Sequence, residues 1–239
     1  MEKGSLLYEG KAKRIYATDD PDIVWIHYKN SATAFNGEKK ADIAGKGVLN
    51  NKISSLLFSK LAERGIQSHF IKQLSDEEQL VKKVDIIPLE VVVRNVIAGS
   101  LSNRLGREEG EEMPSPIIEF YYKDDALGDP LINDDHIDYL GIATSEERRE
   151  IRSMALQVNS VLQTIFNEAG VILVDFKLEF GKDRAGQILL GDEVSPDTCR
   201  LWDAETRQKL DKDVFRRGIG SLTEVYAIIL KRLGGTAHV

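Results

Sequence analysis

The run Leu173-Val174-Asp175-Phe176-Lys177-Leu178-Glu179-Phe180-Gly181 constrains the fold more than any other stretch of the chain. Side chains alternate across a β-strand, so Val174, Phe176, Leu178 and Phe180 are expected on one wholly apolar face. The opposite face then carries Asp175, Lys177 and Glu179 in a row. An apolar face needs a packed layer beneath it, and a row of charges needs solvent or a ligand above it. The chain must therefore build a sheet that is covered on one side and open to something polar on the other.

The next strand can be registered against this one. A four-residue loop at Arg184–Gln187 pairs Gly181 with Leu190, Phe180 with Gly191 and Glu179 with Asp192. Opposed residues share a face with Cβ atoms about 5 Å apart, so the two carboxylates repel unless a cation lies between them. Mg²⁺ takes one or two carboxylates plus nucleotide phosphates, which fits Glu179 and Asp192. The plainer reading is a solvated polar sheet face in which Lys177 neutralises its neighbours.

Three further stretches carry charge in patterned form. In Ile86–Ser100, Glu90 and Arg94 project from one face of a valine-rich strand, so Arg94 needs an anionic partner, either Glu90 or a ligand. Gly99-Ser100 then opens a helix, where unpaired N–H groups beside a hydroxyl suit a phosphate or make an ordinary cap. Asp192-Glu193-Val194-Ser195-Pro196-Asp197-Thr198-Cys199-Arg200 leaves the sheet through a proline turn. It presents Asp197 and Arg200 beside the carboxylates, as ligand groups or as an internal pair. Glu9-Gly10-Lys11-Ala12-Lys13 is a glycine turn with two lysines, a nucleotide cover or a solvated hairpin. The histidines His27, His69, His136 and His238 show no metal-ligand spacing, and Cys199 has no nearby histidine in sequence. Trp25 and Trp202 read as core or lobe-edge residues.

Around these stretches, short strands are expected at Leu6–Glu9, Arg14–Ala17 and Ile23–Lys29, with helices at Gly47–Arg64 and Glu146–Ala169. Residues 108–138 read as loops with one short strand at Ile117–Tyr122, and helices close the chain at Asp213–Arg217 and Ser221–Leu233. An antiparallel sheet in front and mixed elements behind, without βαβ alternation, predict an α+β fold. A seam at Val81–Asp85 divides a nucleotide-covering lobe, 1–82, from a catalytic and substrate-binding lobe, 83–239. The net charge of −7 over 239 residues argues against a nucleic-acid partner. No apolar run approaches the ~20 residues of a membrane span, and Met1–Arg14 lacks a signal-peptide core. With one cysteine, a cytoplasmic protein is expected.

The segments IIPLEVVVRNVIAGS, LVDFKLEFG, DEVSPDTCR and YEGKAK together resemble the SAICAR synthetase family across essentially the whole chain, with no departure at the charged positions. The resemblance implies a single-function bacterial form without a fused carboxylase, and a two-lobed fold related to protein kinases and ATP-grasp enzymes. It implies that ATP, carboxyaminoimidazole ribotide (CAIR) and L-aspartate are joined through an acyl phosphate. It places Mg²⁺ on Glu179 and Asp192. ATP is expected under Gly10, Lys11, Ala12 and Lys13 and against the backbone of Val81, Lys82 and Lys83. Arg94, Ser100 and Arg200 grip the ribotide phosphate. Lys177 and Asp175 face the reacting carboxylate, Asp197 orients substrate, and the loop Asn36–Gly47 with Lys39, Lys40 and Lys46 helps to hold aspartate. Relatives are often homodimers. The alternatives are a small-molecule kinase on the same scaffold, or a nucleotide-binding module without turnover.

Overall fold

The computed structural model describes residues 1–34 and 38–236. Strands β1 (Lys3–Glu9), β2 (Lys13–Thr18) and β3 (Ile23–Tyr28) are followed by a small ribbon of β4 (Ser31–Ala34) and β5 (Lys39–Asp42). After helix α1 (Lys46–Glu63), strands β6 (Phe70–Gln73) and β7 (Glu78–Lys82) complete a five-stranded antiparallel sheet in the order β1-β2-β3-β7-β6. The second half begins with β8 (Asp85–Val96), α2 (Gly99–Leu105), β9 (Glu112–Tyr122), β10 (Leu131–Ile132), α3 (Asp134–Leu140) and α4 (Ser145–Glu168). It closes with β11 (Val171–Lys182), β12 (Ile188–Leu190), β13 (Cys199–Asp203), α5 (Asp213–Arg217) and α6 (Leu222–Arg232). Its sheet runs β10-β9-β8-β11-β12, with β13 also pairing with β11.

Helix α4 explains why the second sheet has one covered face. A capping box sets its start: the Thr144 hydroxyl accepts from the Glu147 N–H while the Glu147 carboxylate accepts from the Thr144 N–H. Its buried stripe, including Ile151, Ala155, Val158, Leu162 and Phe166, joins Phe176, Leu178 and Phe180 of β11 and Leu89, Val91 and Val93 of β8 in the main core. Helix α1 packs against β3, β6 and β7 of the first sheet and against helices α4 and α6. Its residues Leu49, Ile53 and Leu57 belong to the main core, so this helix bridges the two halves rather than belonging to the first sheet alone.

Several sequence expectations are corrected. The loop after β11 is one residue longer than expected, and the observed pairs are Phe180–Leu190, Gly181–Leu189 and Lys182–Ile188. The cause is local: the Asp183 carboxylate accepts from the N–H groups of Ala185 and Gln187, and the Asp183 N–H donates to the Gln187 carbonyl. Asp192 therefore does not oppose Glu179; the Gly191 N–H donates to the Glu179 carbonyl instead, at 2.9 Å. Val174 is likewise not on the core face. The β11–β13 register shifts between Leu173 and Asp175, so Leu173 joins the main core and Val174 packs with Val96, Ala98 and Trp202. Strand β9 extends well beyond the short strand expected there, α3 falls in a stretch read as loop, and the second member of the hairpin stops at Leu190.

Candidate active site

The edge of β11 is shared by two partners. Residues Val171–Phe176 pair with β13 and Phe180–Lys182 pair with β12. Between these ladders the segment 191–198 leaves the sheet, attached by the Lys177 N–H to the Thr198 carbonyl at 2.8 Å and by the Gly191 bond already described. The gap sits at Lys177-Leu178-Glu179, and Asp175 and Lys177 of the charged row line a cavity of about 340 Å³ together with Glu90, Arg94, Asp197 and Arg200.

At one end of the row, Asp175 holds two arginines. Its Oδ2 accepts from Arg94 Nη1 and from Arg200 Nη1, both at 2.8 Å. Arg94 also donates to Glu119 at 2.6 Å, Tyr121 at 3.1 Å and Ser100 at 3.2 Å, so its partner is not Glu90. Burial works to lower the pKa of Arg94, but Asp175 and Glu119 outweigh it and the net shift is upward. Arg200 lies across Gly99: a Cβ there would stand 2.6 Å from Arg200 Nη2, and the backbone has φ +54°. Only glycine meets both requirements without strain.

In the middle, Lys177 Nζ donates to Glu90 at 2.6 Å and Glu179 at 3.0 Å. The register explains this, because Glu90 of β8 and Glu179 of β11 are directly opposed. Burial opposes the charge on Lys177, yet Glu179 and Glu90 hold its pKa above the ordinary lysine value. Lys123 donates to the same Glu179 oxygen at 2.7 Å.

At the other end, Lys13 of β2 crosses from the first sheet to reach Asp192 at 2.5 Å and Glu193 at 3.0 Å. Asp192 adopts φ +52°, a conformation that aspartate and asparagine tolerate better than most residues. His69 Nε2 lies 3.1 Å from the Asp192 carbonyl. Burial, helped by Lys13, pushes the His69 pKa down to about 4, so the ring is neutral. Burial raises the pKa of Asp192, but Lys13 and Lys177 outweigh it and hold the carboxyl ionised.

Glu179 and Asp192 each keep one oxygen, Oε2 and Oδ2, that accepts no hydrogen bond among the described residues. No group of three or more His, Cys, Asp or Glu side chains able to hold a metal occurs among the described residues. A two-carboxylate Mg²⁺ site completed by phosphates remains compatible with these hard oxygen donors.

The remaining expected residues are placed as follows. The Asp197 side chain is nearly covered, with Oδ2 accepting from Lys46 at 2.6 Å and Oδ1 from the Tyr226 hydroxyl at 2.6 Å. Burial raises its pKa, but Lys46 and Lys212 reverse the shift, so it is a carboxylate. Lys11 is exposed and paired with Asp125 at 2.8 Å, and the Gly10 N–H and Ala12 carbonyl are both bonded within the turn or to Lys29. Val81 is buried, and the N–H groups of Lys82 and Lys83 donate to the carbonyls of His69 and Asp22. The N–H groups of Lys82 and Lys83 are thus already satisfied within the protein. Lys39 donates to the Phe215 carbonyl at 2.5 Å and Lys40 stands in β5 opposite Thr33; Asn36 and Gly37 lie outside the described residues. Cys199 is buried, which raises its thiol pKa. Sequence reasoning missed Glu119, Tyr121, Lys123, His69 and Tyr226, because each reaches the site from another element and carries no local pattern.

The sequence profile described as SAICAR synthetase matches residues 6–233. A phosphoribosylaminoimidazole-succinocarboxamide synthase of Lysinibacillus sphaericus is 65% identical over 235 residues, covering 98% of this chain and 100% of the relative. A crystal structure of the same-named enzyme from Ehrlichia chaffeensis superposes with a TM-score of 0.95 at 47% identity, over 98% of this chain and 100% of that one. A SAICAR synthetase solved in complex with ADP has a TM-score of 0.94 at 51% identity, over 97% and 99% of the two chains.

Proposed function

The chain belongs to the SAICAR synthetase family, and from that premise we propose how its side chains serve the ATP-dependent ligation of L-aspartate to CAIR. It is a carbon–nitrogen ligase of purine biosynthesis, forming SAICAR, ADP and phosphate. The observation that carries the reading is the single row on β11, with an arginine pair at Asp175, a half-buried ammonium at Lys177 and the Lys13–Asp192 pair beyond Glu179.

A carboxylate does not react with an amine, because oxide is too poor a leaving group. In the first step a carboxylate oxygen of CAIR attacks the γ-phosphorus, and the bond to the ADP oxygen breaks. The aspartate amine then adds to the acyl carbon and phosphate leaves, its proton passing to a phosphate oxygen or a nearby carboxylate. The first step gathers anionic oxygens at one place, so fixed cations lower its barrier most.

Arg94, Arg200 and Ser100 grip the ribotide phosphate. Asp175 keeps the two guanidiniums side by side, where they would otherwise repel. Lys177 faces the carboxylate being phosphorylated, held in place by Glu90 and Glu179. Lys11 and Lys13 close over the nucleotide, with Gly10 and Ala12 shaping the turn and the seam Val81-Lys82-Lys83 against adenine. Asp197 spends both oxygens on Lys46 and Tyr226, so it fixes that wall of the cleft rather than moving a proton. Glu179 and Asp192 are the residues that would hold Mg²⁺, through the oxygens not committed to lysines. When bound, the ion offsets charge on the transferring phosphoryl group.

Residues 1–82 would cover the nucleotide and 83–239 hold the substrates, with α1 joining the two. A homodimer in the cytoplasm is the expected setting; no helix among the described residues is long and apolar enough to cross a membrane. The decisive experiment uses CAIR labelled with ¹⁸O in its carboxylate. Ligation must move one label into released phosphate, dependent on aspartate. A stable phosphorylated product without amide would instead establish a kinase.

A further inference from the structure

Asp211 is a buried carboxylate with no cation bonded to it among the described residues. Its Oδ2 accepts from the Leu201 N–H of β13 at 2.8 Å, and its Oδ1 accepts from the Asp213 N–H at the start of α5 at 2.7 Å. Asp213 in turn accepts from Arg200 Nε at 3.0 Å and from Arg216 at 2.6 Å. A chain of contacts thus runs from Asp211 through the first residue of α5 to the guanidinium that lies on Gly99 and Asp175.

We propose that Asp211 is a positioning residue for Arg200, acting through Asp213, and that its protonation state sets how firmly the ribotide phosphate is held. The inference rests on the ligase reading above. With five residues, α5 is too short to hold its own start in place. Its start is fixed by Asp211, by the Lys212 N–H bonded to the Pro196 carbonyl and by the Val214 N–H bonded to the Asp211 carbonyl. Ionised Asp211 accepts at both oxygens. Protonated, one oxygen carries a hydrogen and loses much of its acceptor strength toward the N–H it faced. The clamp on Asp213 then slackens, and Arg200 with it.

The ionisable groups around Asp211 are Asp213 on α5, Arg200 and Cys199 on β13, and Tyr226 on α6. Burial, followed by repulsion from Asp213, pushes the Asp211 pKa up to about 7. The neighbouring Asp213 is shifted down by Arg200 and Arg216 against the effect of its burial. The two carboxylates are thus pushed apart, one kept ionised and one left to change charge near neutrality.

The test is the CAIR KM of Asp211→Asn relative to wild type across pH, because the ratio cancels the titration of the substrate's own phosphate. Asparagine offers one acceptor oxygen, as the protonated acid does. The expected ratio is at least threefold at pH 8, falling to near one at pH 6, where wild-type Asp211 is itself protonated. Turnover at saturating CAIR and the ATP KM are expected to stay within twofold. A constant ratio, as a merely structural defect would give, overturns the proposal, and so does a ratio of one at pH 8. Should the variant not fold, wild-type enzyme with ¹³Cγ-labelled aspartate must show one carboxyl titrating near pH 7, with a midpoint that falls when CAIR is added. Absence of that titration, or a midpoint unchanged or raised by CAIR, refutes the linkage. Wild-type turnover with CAIR and aspartate at pH 8 tests the ligase reading separately.

Discussion

Gly99 and Gly106 bracket α2 and make a controlled comparison. Both have positive φ, +54° and +61°, but a Cβ at Gly99 would stand 2.6 Å from Arg200 Nη2 while one at Gly106 meets nothing within 4 Å. Alanine at either position is forced into the left-handed region, which costs about 1 kcal/mol or more. That strain lowers Tm by about 2–4 °C per kcal/mol for a chain of this size. Only Gly99→Ala also displaces Arg200. One charge-assisted hydrogen bond is worth about 1.5–3 kcal/mol, so misplacing the guanidinium should raise the CAIR KM by roughly 10- to 150-fold. The assay is steady-state ligation with CAIR varied at saturating ATP and aspartate, alongside thermal melts. Gly106→Ala is expected to lose a similar amount of Tm from strain and keep its KM. A Gly99→Ala enzyme with unchanged KM, or a Gly106→Ala enzyme raised as much, would show that Arg200 does not act from its seat on Gly99.

Asp192→Asn keeps the left-handed backbone, which asparagine tolerates, and should lower turnover about a thousandfold or more with the fold intact; near-normal turnover removes Asp192 from the phosphoryl-transfer machinery. Asp175→Asn leaves the buried Arg94 and the half-buried Arg200 with half their shared compensation, although Glu119 and Asp213 remain. It is expected to cost about 3 kcal/mol and to raise the CAIR KM, and a melt within 2 °C of wild type would refute the buried-pair account. His69, neutral with a pKa of about 4 against an unfolded value near 6.5, contributes stability that is fully present above about pH 6.5 and lost as pH falls toward 4. About 2 kcal/mol should be gone by pH 5, and in His69→Gln this part of the loss in melting temperature between pH 7 and 5 should vanish.

The charged row of β11 was legible because period-two alternation is a local property, and it predicted both a covered face and an open one. The α+β class and the positions of α1 and α4 were legible for a similar reason, since each helix carries an apolar stripe. What failed were features that depend on how one backbone group satisfies another. Asp183 widens its loop by accepting two N–H groups, which shifts the hairpin by one residue so that Asp192 does not directly oppose Glu179. The register shift near Val174 changes which side of the strand faces the core. Only the first part of β9, Glu112–Pro116, was read as loop, because Pro114 and Pro116 interrupt it. They lie where the β8–β9 register shifts, between Glu112 and Ile117, and away from the ladder to β10, so their missing N–H groups leave no pairing broken there. Glu119 and Tyr121, the partners of Arg94, lie in the part of β9 that was read as a strand, and Lys123, a partner of Glu179, follows it; they were missed because which strand pairs with β8 is not a local property.

That same split of the β11 edge also explains why a site exists here at all. Asp175 lies within the ladders to β8 and β13, opposite Arg94 and Arg200, and a strand paired continuously on both sides would place Lys177 and Glu179 in the same setting and leave no gap at that edge. Because β13 stops at Phe176 and β12 starts at Phe180, the segment 191–198 has room to swing out. It brings Asp192 and Asp197 to the two sides of the row. Each cation in the cleft arrives already paired with a carboxylate, so it is held in position before substrate enters. Anionic substrates then share these cations rather than recruit them, and little reorganisation is left for the moment of phosphoryl transfer.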